Sequence, residues 1–93
     1  MINPKIEIIR KKLDNIDSKL LLIIKKRTKL VNEVIKLKKT KKEIIDKKRI
    51  NIILKRIKAK SIKLKIDPDI THGIWNEMIK SFIRYEYKNF KRK

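Results

Sequence analysis

Residues 6 to 37 read IEIIRKKLDNIDSKLLLIIKKRTKLVNEVIKL. Within this stretch Ile6, Ile9, Leu13, Ile16, Leu20, Ile23, Arg27, Leu30, Val34 and Leu37 recur in alternating steps of three and four, the period of a helix that packs one seam against other helices. Arg27 is the one polar residue in that seam. Asn3 followed by Pro4 suits an N-cap and a first helical turn, and the cations from Lys38 to Lys42 suit a C-terminal end. Such a helix holds about 35 residues and is roughly 50 Å long at 1.5 Å per residue, more than a compact chain of this size spans. The excess length calls for a partner helix, which a second copy of the chain would supply.

The rest of the chain is read outward from that helix. Gly73 is the only glycine, and the only prolines are Pro4 and Pro68, so nothing between Lys5 and Asp67 has to break a helix. A second helix is predicted over about Asp46 to Ser61, with Ile50, Ile53, Leu54 and Ile57 on one face. A third starts at Asp67 and Pro68, an N-cap followed by proline at the first helical position, and runs to about Phe90. Its stripe is Trp75, Met78, Ile79, Phe82 and then Glu86, so a carboxyl group takes a position that the spacing assigns to the interior. The expectation is an all-α protein with three helices per chain and a long first helix, in one domain over 1–93 without repeat or flexible linker.

With 93 residues, a solitary core is necessarily small. Lys plus Arg number 29 against 10 Asp plus Glu, a formal net charge of +19, which points to anionic partners and leaves nucleic acid, anionic lipid and small polyanions open at this level. The absence of Cys excludes disulfides and thiolate chemistry. With His72 as the only histidine and the carboxylates scattered, no metal site is expected. The longest apolar run, Leu20 to Ile24, is far short of the roughly 20 residues that cross a bilayer, and the opening Met1 to Lys5 has no signal-peptide core. The chain is therefore expected to be soluble and cytoplasmic, with no membrane partner. Although 42% of residues are charged, 41% are hydrophobic and regularly spaced, so order is expected rather than disorder.

Only 6 of the 29 cations are Arg, and each becomes informative because Lys could serve wherever a point charge suffices. Arg27 and Lys38 are 11 residues apart, three helical turns plus about 20°, which puts both on one face about 16 Å apart along the axis. A small dianion fits between them. Arg27 alone also reads as a snorkelling seam residue, and Lys38 as one lysine among many. Arg10 lies about 25 Å before Arg27 on the same helix, so the two cannot grip one small molecule within one chain, whereas an antiparallel copy brings another Arg10 there. Arg49 beside Asp46 reads on its own as a helix-start ion pair. Glu86 is either an interior acid paired with one of these cations or a rim residue. His72 and Ser81 have no neighbours that make a nucleophile or relay and are read as surface or packing residues.

The order Arg10, then LDNIDSKLLLIIKKR ending at Arg27, VNEVIKLK ending at Lys38, and IDKKR from Ile45 to Arg49 resembles the all-helical chorismate mutase family. NIILKRI, the KIDPDI connection and the IWNEMIKSFIRYEYKNF segment extend the likeness over nearly the whole chain. The resemblance implies an intertwined helical homodimer that rearranges chorismate to prephenate in aromatic amino-acid biosynthesis, with no cofactor, metal or nucleic-acid partner. By position, Arg27 looks like the in-chain arginine for a substrate carboxylate and Arg10 like the one donated across subunits. Lys38 looks like the cation on the ether oxygen, Asp46 like the acid near the pocket mouth and Arg49 like the supporting arginine. Glu86 falls where members carry Gln or Glu and, as the neutral acid beside Lys38, looks like the second catalytic donor to the ether oxygen.

Two positions depart from the family pattern. Ile50 follows Arg49 where a Glu usually contacts the substrate hydroxyl, and Phe82 replaces a small polar residue near the carboxylate. Both departures are similar to a related helical lyase that releases pyruvate from isochorismate, which is the alternative reading. The DPD connection and the IRYEY tail resemble stand-alone mutases, which places the mutase first. A basic helical nucleic-acid-binding protein is the non-enzymatic rival, though the chain has no recognition motif or aromatic stacking set.

Overall fold

The computed structural model describes residues 3–91, so the ends of the expected 1–93 domain, including the start of the Met1 to Lys5 opening, lie outside the described residues. The chain is all-α: α1 spans Pro4–Leu37, α2 Lys47–Lys63 and α3 Pro68–Asn89. Each boundary has a local cause. At the start of α1 the Asn3 side chain accepts the Lys5 amide at 2.9 Å, and Pro4 occupies the first helical position, where the missing N–H costs nothing. The Asp46 carboxylate caps α2 by accepting the Arg49 backbone amide at 3.0 Å. Asp67 caps α3 by accepting the Asp69 amide at 2.9 Å, again with proline following the cap.

The joint between α2 and α3 is closed by a pair of backbone bonds that the sequence does not advertise. The Ile66 amide donates to the Ser61 carbonyl at 2.9 Å and the Lys65 amide to the Ile62 carbonyl at 3.1 Å. This is a Schellman end, and its left-handed position falls on Lys65, with φ 60°, rather than on the usual glycine. Between α1 and α2 a single 3₁₀ turn forms at Lys41–Glu43, where the sequence suggested only a lysine-rich helix end.

The chain divides into two compact units, with the boundary between Asn32 and Glu33. In the first, Ile6, Ile9, Leu13, Ile16, Leu20 and Ile23, the expected seam, are all exposed. In the second, the last turn of α1, the 3₁₀ turn, α2 and α3 share a small interior. Ile35, Ile44 and Ile79 are its buried apolar residues, and Ser61, Thr71 and Glu86 are buried with them. Ser61 and Thr71 join α2 to α3, their hydroxyl oxygens 2.7 Å apart. Two hydroxyl protons serve three contacts here: Ser61 is also 2.7 Å from the Ile57 carbonyl and Thr71 is 3.2 Å from the Pro68 carbonyl, so either hydroxyl can donate to the other while its partner donates to its own helix. No buried side-chain polar atom among the described residues is left without a partner.

Candidate active site

Glu86 stands on the stripe of α3 that also carries Trp75, Met78, Ile79 and Phe82, and helical spacing alone turns its carboxyl inward. Its residue exposure is 8%. A buried carboxylate without compensation costs several kcal/mol, so it must find a cation or a proton. Lys38 supplies the cation. It is the first residue beyond α1, its amide still bonded to the Val34 carbonyl at 3.1 Å, and its ammonium donates to Glu86 Oε1 at 2.8 Å. The side chains are 19% and 11% exposed, whereas the ion pairs of Arg10 with Glu7 and of Lys80 with Glu77 lie on open helix surface. The pair spans 48 positions of sequence and joins the end of α1 to the last turns of α3.

The remaining candidates fall into groups. Asp46 and Arg49 are together at the start of α2, but through a backbone cap, with no ion pair between their side chains. The helix-start ion pair is thereby corrected: the carboxylate is taken by an amide that has no helical acceptor. The Arg49 side chain is exposed. Ile50 is half-buried one residue further on, and Phe82 is half-buried on α3, its ring edge-on to Tyr85 with centroids 6.3 Å apart at 76°. Arg10 and Arg27 belong to the first unit. Arg10 is exposed and bound to Glu7 at 2.8 Å, while Arg27 is half-buried and engaged within the chain. Seventeen residues of one helix separate them by about 25 Å, so one chain does not bring these two arginines together.

Chemically, the second unit offers a half-buried ammonium next to a carboxyl group, flanked by apolar and aromatic side chains. That arrangement can stabilise negative charge developing on an oxygen but provides no nucleophile: Ser81 is exposed and accepts from Arg84 at 3.1 Å, and His72 is exposed on the opposite half of α3. No group of three or more His, Cys, Asp or Glu among the described residues is placed to hold a metal ion. No described helix is long and apolar enough to cross a membrane. A cleft of about 370 Å³ between α2 and α3 is lined by Leu54, Ile57, Pro68, His72 and their charged neighbours, and none of the candidate residues borders it.

Two features of this region are not anticipated by the sequence reading. One is Glu43, whose carboxylate accepts the amides of Lys39 at 2.5 Å and Thr40 at 2.8 Å. A Thr followed three residues later by Glu is a capping-box pattern, and TKKE from Thr40 to Glu43 carries it, so the signal was present. The other is the buried Ser61 and Thr71 contact, for which no local pattern exists. The family model for chorismate mutase type II matches residues 9–87. Neither a curated protein nor a solved structure matches the chain.

Proposed function

The chain belongs to the chorismate mutase type II family, and from that premise we propose that it converts chorismate to prephenate. The observation that carries this reading is the half-buried Lys38 ammonium held against the buried Glu86, a cation placed to meet the oxygen of a breaking ether bond. The rearrangement is unimolecular: the ether C–O bond breaks as a C–C bond forms, and the π bonds shift between them. It needs no nucleophile, metal or proton relay, which fits a chain without Cys and with one exposed His.

In this reading the rate comes from holding the compact reactive conformer and from countering charge on the ether oxygen. Arg27 binds one substrate carboxylate as a fork and Arg10 of the partner subunit binds the other. Lys38 donates to the ether oxygen. Glu86 donates as well, but only as the neutral acid, because a carboxylate has no proton to give. In the free chain it accepts from Lys38 instead, so the incoming ether oxygen takes the place between them. Asp46, at the start of α2, is the acid near the pocket mouth, and Arg49 beside it is the supporting arginine.

The homodimer is part of the same proposal. Its support is α1, where Ile9, Leu13, Ile16, Leu20 and Ile23 are about half exposed in the single chain. Full burial of such a side chain from water contributes about 1.5–3 kcal/mol, so covering the half still exposed adds roughly half of that at each position and favours pairing two such helices. The high net charge is then spread over the outer faces, and dianionic substrate rather than nucleic acid is the anion the site takes.

Ile50 and Phe82 support a second reading, release of pyruvate and salicylate from isochorismate. Neither side chain can accept a hydrogen bond from a substrate hydroxyl, so the usual partner of that hydroxyl is missing. Purified protein supplied separately with chorismate and isochorismate distinguishes the two. Prephenate from chorismate is the expected result; salicylate and pyruvate from isochorismate, with chorismate untouched, establishes the lyase. No turnover of either substrate, together with salt-sensitive binding to DNA that survives Arg27→Ala, overturns both.

A further inference from the structure

Lys38 is the last residue that α1 supports, and the chain beyond it is a short connection crowded with like charge. Lys38, Lys39, Lys41 and Lys42 stand within five positions, and Glu43 is the only acid between Val34 and Ile45. Like charges this close repel, and from Lys38 to Glu43 every residue is exposed or half-exposed, with little packing to resist them. Yet the ammonium of Lys38 holds one definite place, 2.8 Å from Glu86 on a helix 48 residues later.

Two anchors hold the connection. Ile44 is 3% exposed, the most buried apolar residue described, and pins the far end. Glu43 clamps the near end: one carboxylate oxygen, Oε2, accepts both the Lys39 and the Thr40 amide, the two N–H groups directly after Lys38. Its own amide donates to the Thr40 carbonyl at 3.2 Å and closes the turn. The two amide bonds hold the Glu43 carboxyl below the usual carboxylate range, helped by the charges of Lys39 and Lys38. It is therefore ionised, and the clamp closed, at neutral pH.

We propose that Glu43 is a positioning residue for the site, acting through Lys38: its clamp on the two amides beyond Lys38 sets where the Lys38 backbone ends and so where its ammonium meets Glu86. The proposal rests on the chorismate mutase reading for its kinetic consequence and on geometry alone for its structural one. The Glu43 carboxylate is spent on the Lys39 and Thr40 amides, so it acts on the site only through the backbone that carries Lys38. A purely stabilising cap would cost melting temperature when removed and nothing in the chemical step. A positioning residue costs turnover, because a displacement of an ångström at a reacting group is felt strongly in rate.

The test compares Glu43→Ala and Glu43→Gln with the parent, each also in a Lys38→Met background, with melting curves to confirm folding. Expected is a fall in kcat of about tenfold for Glu43→Ala with KM within about twofold, since the carboxylate-binding arginines are elsewhere. Glu43→Gln, which keeps an acceptor oxygen, recovers most of the loss. In the Lys38→Met background Glu43→Ala changes kcat by less than about twofold, because the residue it acts through is gone. A folded Glu43→Ala with the parent's kcat overturns the proposal, and so does an equal loss in both backgrounds. If the parent turns over neither substrate, the functional reading fails separately, and the clamp is then read from the Lys38 ammonium resonance in ¹⁵N NMR. That resonance is visible while Glu86 holds it, and it is expected to broaden away in Glu43→Ala and persist in Glu43→Gln. Persistence in Glu43→Ala overturns the proposal without reference to activity.

Discussion

Replacing Glu86 separates its part in stability, whose magnitude follows from the structure, from the catalytic part proposed for it. In Glu86→Ala the Lys38 ammonium loses an acceptor at 2.8 Å. A hydrogen bond to a charged group contributes about 1.5–3 kcal/mol, and because the 19% exposed Lys38 side chain can bend toward water, the low end applies, about 1.5–2 kcal/mol. For a chain of this length that is a melting temperature lower by about 10 °C. Glu86→Gln keeps an amide oxygen for Lys38 and loses the charge on one partner only, so its cost stays below about 1 kcal/mol. In catalysis, removing one of two donors aimed at developing charge lowers kcat by about 10²–10³ in Glu86→Ala. The glutamine variant keeps an N–H donor at this position, whereas alanine removes it, so Glu86→Gln retains substantial turnover where Glu86→Ala does not. The assay is initial-rate loss of chorismate with melting curves on the same samples. A Glu86→Ala variant as fast as the parent, or a Glu86→Gln variant as slow as Glu86→Ala, refutes Glu86 as the donor to the ether oxygen.

Three further outcomes are expected. Arg10→Ala and Arg27→Ala are each inactive, yet mixing them with subunit exchange restores about a quarter of the parent's activity, because half the dimers are mixed and each holds one intact site; no recovery despite exchange refutes a shared site. Lys65→Gly raises stability in thermal melts by up to about 1 kcal/mol, since Lys65 sits at φ 60° where glycine pays no steric penalty, and a lower melting temperature counts against that account. The lowered Glu43 value makes its contribution to stability fully present above the unfolded carboxylate value and lost as pH falls through the folded one, so Glu43→Gln removes that acid-side loss from a plot of stability against pH; identical acid limbs for the two proteins refute it.

Much of this protein is legible in its sequence because its helices are specified locally. The three-and-four spacing from Ile6 to Leu37, the caps at Asn3, Asp46 and Asp67, and the prolines at the first turns of α1 and α3 act within four or five residues of themselves. Helix boundaries agree to within two residues. The inward place of Glu86 is likewise a matter of period, set by the stripe from Trp75 onward. The order of Arg10, Arg27, Lys38, Asp46 and Arg49 carried the family, which the match over residues 9–87 bears out.

Residue spacing by itself left open which cation meets Glu86; the resemblance set Lys38 and Glu86 on one ether oxygen, and the packed elements bring the two to 2.8 Å. With 29 cations in the chain, Lys38 differs from its neighbours only because α1 ends at Leu37 and α3 returns past that end. The joining of Ser61 to Thr71 depends in the same way on two helices being packed at one height, and no residue pattern on either helix records the other. Whether the Asp46 carboxylate turned to the Arg49 guanidinium or its amide was a competition between a surface ion pair of little worth and an amide that the helix leaves without an acceptor, and the amide prevailed. Local rules state what each segment can form. Contacts distant in sequence are chosen only when the packed elements place one partner within reach and exclude the others.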